Sequence, residues 1–253
     1  MKQIPNLFTL LNLLFGCLAI IAILQNGIVI QYNEDGSQFV SIPEKIWMAS
    51  LVIGLAAVVD FLDGFVARMF KATSEMGKQL DSLADVVSFG VAPSLIIYQF
   101  LRLSYAREED GIEISLLWLV PALFIALAAA YRLAKFNIES AGEYHFKGMP
   151  TPAIGILVAS LPLIYWNTDN AGMINLILNK WFLYTLVILL CWLMLSNIKL
   201  MALKFRDFTL QSNLPKILLI GISILLLILF KWIAIPVIFV LYILLSLIFK
   251  NRV

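Results

Sequence analysis

Asp60-Phe-Leu-Asp63-Gly64-Phe-Val-Ala67-Arg68, then eight residues, then Gly77-Lys-Gln-Leu-Asp81-Ser-Leu-Ala-Asp85: this stretch places four aspartates, one arginine and two glycines between long apolar runs. Charge at the edge of a membrane span is costly unless it is paired, solvated or bound to a metal. Asp60 and Asp63 are three residues apart and Asp81 and Asp85 four apart, so each pair shares one face of a helix. The linker between the pairs is short. The pattern therefore predicts two neighbouring antiparallel membrane helices whose acidic faces meet.

The rest of the chain supports a membrane setting. Of its 253 residues, 62% are hydrophobic and 13% charged, and the mean hydropathy is +0.94. Soluble domains are about 45–50% apolar and about 25% charged. No polar stretch is long enough for a second, soluble domain, so residues 1–253 read as a single integral membrane domain. A net charge of +2 gives no reason to expect a nucleic-acid partner. Cys17 and Cys191 lie within apolar runs and are expected to be small core residues with no disulfide between them. The first apolar run lacks a small-residue cleavage pattern and reads as a retained span.

About 20 apolar residues cross a hydrocarbon core as helix. Eight stretches qualify: roughly 5–25, 46–68, 82–103, 114–135, 150–167, 180–197, 214–230 and 232–249. The fold class expected is thus all-α, a polytopic bundle of about eight transmembrane helices. With both termini in the cytoplasm, Lys45, Arg102, Arg107, Lys180 and Lys231 fall outside and the other 13 of the 18 lysines and arginines inside. That is the bias of the positive-inside rule. The polar loops at 26–44 and 104–113 then lie outside, and the basic linker at 69–80 lies inside.

Four carboxylates meeting in low dielectric repel one another, and a divalent cation removes the conflict. Oxygen donors without Cys or His suit Mg²⁺ or Mn²⁺, with Ca²⁺ as an alternative, and argue against Zn²⁺. Four acids are enough for two ions about 3.5–4 Å apart, the arrangement that clamps the attacking and leaving oxygens of a phosphoryl transfer. Gly64 and Ala67 lie one turn beyond Asp60 and Asp63, and Gly77 one turn before Asp81, making a small-residue notch beside the acids. Arg68 is suited to a phosphate oxygen. Together these describe a site for a pyrophosphate-bearing nucleotide. In the competing reading Asp81 is a helix cap and Arg68 a positive-inside charge.

The pattern Asp60-x-x-Asp63-Gly64-x-x-Ala67-Arg68-x8-Gly77-x3-Asp81-x3-Asp85 resembles, without departure, the signature of the CDP-alcohol phosphotransferases. These membrane enzymes displace CMP from a CDP-linked donor with an alcohol. The resemblance implies that Asp60, Asp63, Asp81 and Asp85 hold two divalent ions, that Asp85 is also the general base, and that Gly64, Ala67, Arg68 and Gly77 line the CDP pocket. It further suggests a homodimer. Wider context is similar to the branch that joins CDP-diacylglycerol to serine, the CDP-diacylglycerol–serine O-phosphatidyltransferases. That context comprises Ile4 to Thr9 with Asn12, Asp81 to Pro93, Arg132 to Asn137, and Lys147 to Pro152, the last departing at Met149 and Thr151. The catalytic half is therefore expected over about 1–155, with additional spans over 156–253.

Several polar residues remain open to more than one role. Asn6, Thr9 and Asn12 are spaced by three on the first span, where they can bond the nucleotide, as assigned here to Asn6 and Thr9, or a neighbouring helix. Serine carries a carboxylate and needs a cation. Arg132 and Lys135 share a face and are the candidates, or else are positive-inside charges; Ser88 and Asn137 are further acceptor-site candidates. His145, the single histidine, is given no catalytic role. Pro93 predicts a kink in the third span, either shaping the acceptor pocket or serving packing alone. Glycerol 3-phosphate or inositol phosphate would bring a phosphate dianion and need more clustered cations than these. A cation transporter or channel is the rival from another class. It would place the acids near the bilayer midplane rather than at the ends of spans. A bacterial inner membrane, with the site facing the cytoplasm, is the expected location.

Overall fold

The computed structural model describes residues 4–25, 29–32, 38–41, 45–69, 74–108, 113–138, 146–201 and 210–249. Helix α1 (Ile4–Leu24) has 21 residues and α2 (Ile46–Met69) has 24. At 1.5 Å per residue α1 is about 31 Å long, matching a hydrocarbon core. A hairpin of β1 (Val29–Tyr32) and β2 (Gln38–Ser41) links them, pairing Val29 with Ser41 and Tyr32 with Gln38. The expected polar loop therefore carries two short strands.

Helix α3 (Glu75–Asp85), a π-helical segment over Val86–Val91 and α4 (Ala92–Ala106) run on as one rod. This rod starts seven residues before the expected position. Ser74, in extended conformation, caps it by accepting from the Gly77 N–H at 3.0 Å. Asp81 is therefore an interior helical residue and not a cap. The irregularity expected from Pro93 takes the form of the π segment. Pro93 sits in the first turn of α4, and the Ala92 N–H reaches five residues back to the Val87 carbonyl.

Two short 3₁₀ turns lead into α5 (Phe124–Ile138). Strand β3 (Phe146–Lys147) precedes α6 (Thr151–Asn167), and α7 (Ala171–Ile177) meets α8 (Lys180–Leu195) at 60°. Strand β4 (Lys199–Leu200) returns antiparallel to β3, pairing Leu200 with Phe146 and Lys199 with Lys147. Helices α9 (Leu210–Phe230) and α10 (Ala234–Ile248) end the described chain. Lys231, at φ 48°, breaks the helix between them, and α10 packs back against α9 as a hairpin.

Each of the eight expected apolar stretches is helical. By length and composition five helical stretches among the described residues are able to cross a membrane, with α9 and α10 taken together, and six when α7 and α8 count as one. The protein is an integral membrane helix bundle, and the four short strands among the described residues all lie between its apolar helices. Its outward faces carry Leu7, Phe61, Ile188 and Leu229, all exposed. Cys17 lies on an exposed face and is not the core residue expected, whereas Cys191 is half-buried and packs against the core. Lipid is as apolar as the core, so an apolar run does not reveal which of its faces is buried.

Three helices close on the π segment. A Cβ on Gly16 of α1 would come within 2.9 Å of the Ser88 Cα, and one on Gly155 of α6 would come within 3.1 Å of the Phe89 Cα. From the segment itself, a Cβ on Gly90 would lie 3.0 Å from the Ala129 Cβ of α5. Phe89, at the centre, is fully buried. Gly155→Ala is expected to lower the melting temperature in detergent by the equivalent of about 1–3 kcal/mol, the usual cost of overpacking. Gly54→Ala, where a Cβ meets nothing within 4 Å, should leave it unchanged.

Candidate active site

The C-terminal part of α2 and the second half of α3 bring three of the four aspartates together. One carboxylate oxygen from each of Asp60, Asp81 and Asp85 lies within 4.8 Å of the others. Asp60 and Asp85 are close enough to hydrogen-bond side chain to side chain. Asp63 is turned elsewhere: its Oδ2 accepts from the Thr9 hydroxyl on α1, though its charge still reaches Asp60 and Asp81. Asp63 and Asp85 are each 7% exposed. Carboxylates this close and this buried repel unless something positive lies between them. The donors are all hard oxygens, so the site fits a magnesium-like cation. A cation there would be held by Asp60, Asp81 and Asp85.

Helix α1 supplies the second layer. Asn12, fully buried, donates from Nδ2 to Asp85 Oδ1 at 3.2 Å, and its backbone carbonyl accepts from the Ser88 hydroxyl at 3.0 Å. Thr9 holds Asp63 and also contacts the Pro5 carbonyl at 3.2 Å. Thr9 and Asn12 thus bond the acids themselves, across to the neighbouring helices. Asn6 is beside Gly77: a Cβ on that glycine would come 3.1 Å from Asn6 Oδ1. Gly64 is half-buried on α2, one turn past Asp60. Ala67 and Arg68 continue α2, but their side chains lie outside the described residues, as does His145.

The acceptor candidates separate. Arg132 of α5 is 9% exposed, donates from Nη1 to the Thr151 hydroxyl of α6 at 3.1 Å, and interacts electrostatically with Asp85. Its Nε is buried without a hydrogen-bond partner among the described residues. A guanidinium with an unmet donor inside a membrane bundle is costly, and it suits an anionic ligand. Lys135, one turn on, is only half-buried. Asn137 donates to the Ser82 hydroxyl at 2.8 Å, and its carbonyl accepts from Lys78 at 3.1 Å, so it ties α5 to α3. Ser88 is fully buried under Asn12. Sequence reasoning placed Asn12 on the right face without assigning it a role, and it missed Thr151 as the partner of Arg132. The i, i+3 spacing from Thr9 was the available signal for Asn12. Thr151 had none.

A helical membrane bundle with a carboxylate cluster able to hold a cation and a buried arginine beside it fits one class, the membrane enzymes acting on phosphate esters. The model of the CDP-alcohol phosphatidyltransferase family matches residues 2–194, and the chain belongs to that family. The match runs past the 1–155 stretch in which the motifs were found. Relatives named CDP-diacylglycerol–serine O-phosphatidyltransferase include one from Helicobacter pylori, 36% identical over 77% of this chain and 70% of its own. One from Bacillus subtilis is 34% identical over 65% of this chain and 78% of its own. One from Methanocaldococcus jannaschii is 31% identical over 64% and 74%. The protein is therefore an enzyme of phospholipid biosynthesis, and the transporter reading falls away.

Asn12→Ala removes the donor to Asp85. A hydrogen bond to a charged group is worth about 1.5–3 kcal/mol, so turnover should fall about ten- to hundredfold, measured as CMP release at saturating substrate.

Proposed function

We propose that the protein transfers the phosphatidyl group of CDP-diacylglycerol to the hydroxyl of L-serine, giving phosphatidylserine and CMP. The observation that supports serine is the buried Arg132, whose Nε has no partner among the described residues, in electrostatic reach of Asp85. A carboxylate taken by Arg132 would leave the rest of so small an acceptor beside the acid cluster. The names of the relatives point the same way.

In this reading the lipid enters sideways, with its acyl chains remaining in the bilayer. Asn6, Thr9, Gly64, Ala67, Arg68 and Gly77 border the CDP moiety. Arg132 orients the acceptor through its carboxylate, with Thr151 steadying the guanidinium. Asp85, oriented by Asn12, takes the proton from the serine hydroxyl. The serine oxygen forms its bond to the lipid-linked phosphorus as the bond to the CMP oxygen breaks. Two divalent cations, Mg²⁺ or Mn²⁺, held by Asp60, Asp63, Asp81 and Asp85, would neutralise the pyrophosphate and the charge growing on the leaving oxygen.

We also read the bundle as eight spans with both termini in the cytoplasm. The bent α7–α8 pair supports this by counting as one span, and the break at Lys231 by dividing the last stretch in two. The acids, Arg132 and Asn137 lie on helix segments that adjoin the basic linkers in sequence, and the positive-inside rule assigns that side to the cytoplasm. Residues 1–253 form one domain in a bacterial inner membrane. The homodimer rests on the family resemblance.

Purified protein given CDP-diacylglycerol and Mn²⁺ or Mg²⁺ should release CMP with serine. It should do so poorly or not at all with glycerol 3-phosphate or inositol phosphate. Chelation should abolish the reaction and re-added metal restore it; preference for a phosphorylated acceptor would overturn the serine assignment. Asp85→Asn should abolish turnover while the protein still binds CDP-diacylglycerol in a direct binding measurement. Full activity of that variant would remove Asp85 as the base.

A further inference from the structure

Helices α9 and α10 lie beyond the residues matched by the family model, and nothing in the reaction assigns them a role. Their position gives one. Met201, just after β4, is 1% exposed, and α10 holds its backbone at both ends. The Tyr242 hydroxyl donates to the Met201 carbonyl at 2.9 Å, and the Met201 N–H donates to the Ser246 hydroxyl at 3.2 Å. Ser246 in turn donates to the Tyr242 carbonyl at 2.7 Å.

The strand gripped in this way is itself fastened to the acceptor side. β4 pairs with β3, the Gly148 N–H donates to the Ile198 carbonyl at 3.0 Å, and the Met149 N–H to the Leu193 carbonyl at 2.9 Å. Gly148 is held at φ 74°, and a Cβ there would lie 2.5 Å from the Met194 carbonyl oxygen, so only glycine fits this close approach. Two residues after Met149 comes Thr151, fully buried, whose hydroxyl takes the Arg132 Nη1. The Tyr242 phenol and the Arg132 guanidinium are also near enough to interact electrostatically.

We infer that Tyr242 and Ser246 of the C-terminal hairpin are positioning residues for the acceptor: through Met201 and the β3–β4 ladder they hold Thr151 against Arg132. This rests on the reading of Arg132 as the acceptor carboxylate site. It places part of the acceptor specificity on a hairpin outside the family match, remote in sequence from the aspartate motif. A residue that acts only through Arg132 affects how well the acceptor is bound, not how the phosphorus is attacked.

The test is steady-state kinetics with both substrates varied, on the full chain in detergent or lipid. Tyr242→Phe keeps the ring and removes the donor to Met201, and Ser246→Ala removes the acceptor for the Met201 N–H. Each should raise the KM for serine about three- to tenfold, with kcat and the KM for CDP-diacylglycerol changed by less than about twofold. Thr151→Val should act in the same direction. Tyr242→Phe combined with Thr151→Val should be no worse than the larger single effect, since both act on one element. An unchanged serine KM in both α10 variants would overturn the inference. So would additive effects with Thr151→Val, or equal losses for both substrates that follow a lowered melting temperature. Arg132→Gln separates the two levels. If it leaves the serine KM unchanged, the acceptor reading fails and this inference with it. If it raises the KM while the α10 variants do not, only the role of the hairpin fails.

Discussion

The contact between α1 and the turn that follows Asp85 carries the architecture of the site. Gly16 lets α1 lie against the backbone at Ser88, and the Ser88 hydroxyl closes the join on the Asn12 carbonyl. Asn12 is thereby set to hold Asp85, and Thr9, one turn away, to hold Asp63. The π segment matters because an extra residue in the turn rotates everything beyond it relative to Asp81 and Asp85. Gly155 and Ala129 close the other two sides, so α5 and α6, which bear Arg132 and Thr151, meet at the same place.

The charges make this arrangement demanding. Three carboxylates within 4.8 Å and a guanidinium mostly out of solvent are tolerable in a bundle only if fixed dipoles, a cation and an anionic ligand compensate them. The protein supplies the dipoles through Asn12, Thr9 and Thr151. It leaves the acid cluster suited to a divalent cation and the Arg132 Nε suited to an anion. Those two unmet demands lie within electrostatic reach of each other. In the proposed reaction an acceptor carboxylate and a donor pyrophosphate would meet these two demands at one point.

The C-terminal half illustrates a division common in membrane bundles. Much of α9 faces outward with exposed leucines and isoleucines, as lipid requires. The inward residues Tyr242 and Ser246 instead satisfy backbone polar groups at Met201 that would otherwise be unmet in an apolar setting. The short ladder of β3 and β4 needs such fastening, since two paired residues have little stability of their own.

The sequence by itself determined the membrane bundle, the eight apolar stretches and the convergence of aspartates from two successive helices, which pack on α1 more than on each other. Those follow from hydropathy and from i, i+3 and i, i+4 spacing, which are local properties. The aspartate spacing also determined the family, because its fixed positions fall within two successive helices. Only the tertiary structure decided that Asp63 turns to Thr9 and leaves three carboxylates converging, that Cys17 is exposed, and that a π segment replaces a simple proline kink. Only it paired Arg132 with Thr151 and brought Tyr242 near them. The physical reason is that within lipid every face of a span is apolar, so a sequence does not mark which side is buried. Which polar groups meet is set by close helix approach at single small residues, and that is a property of the packed bundle.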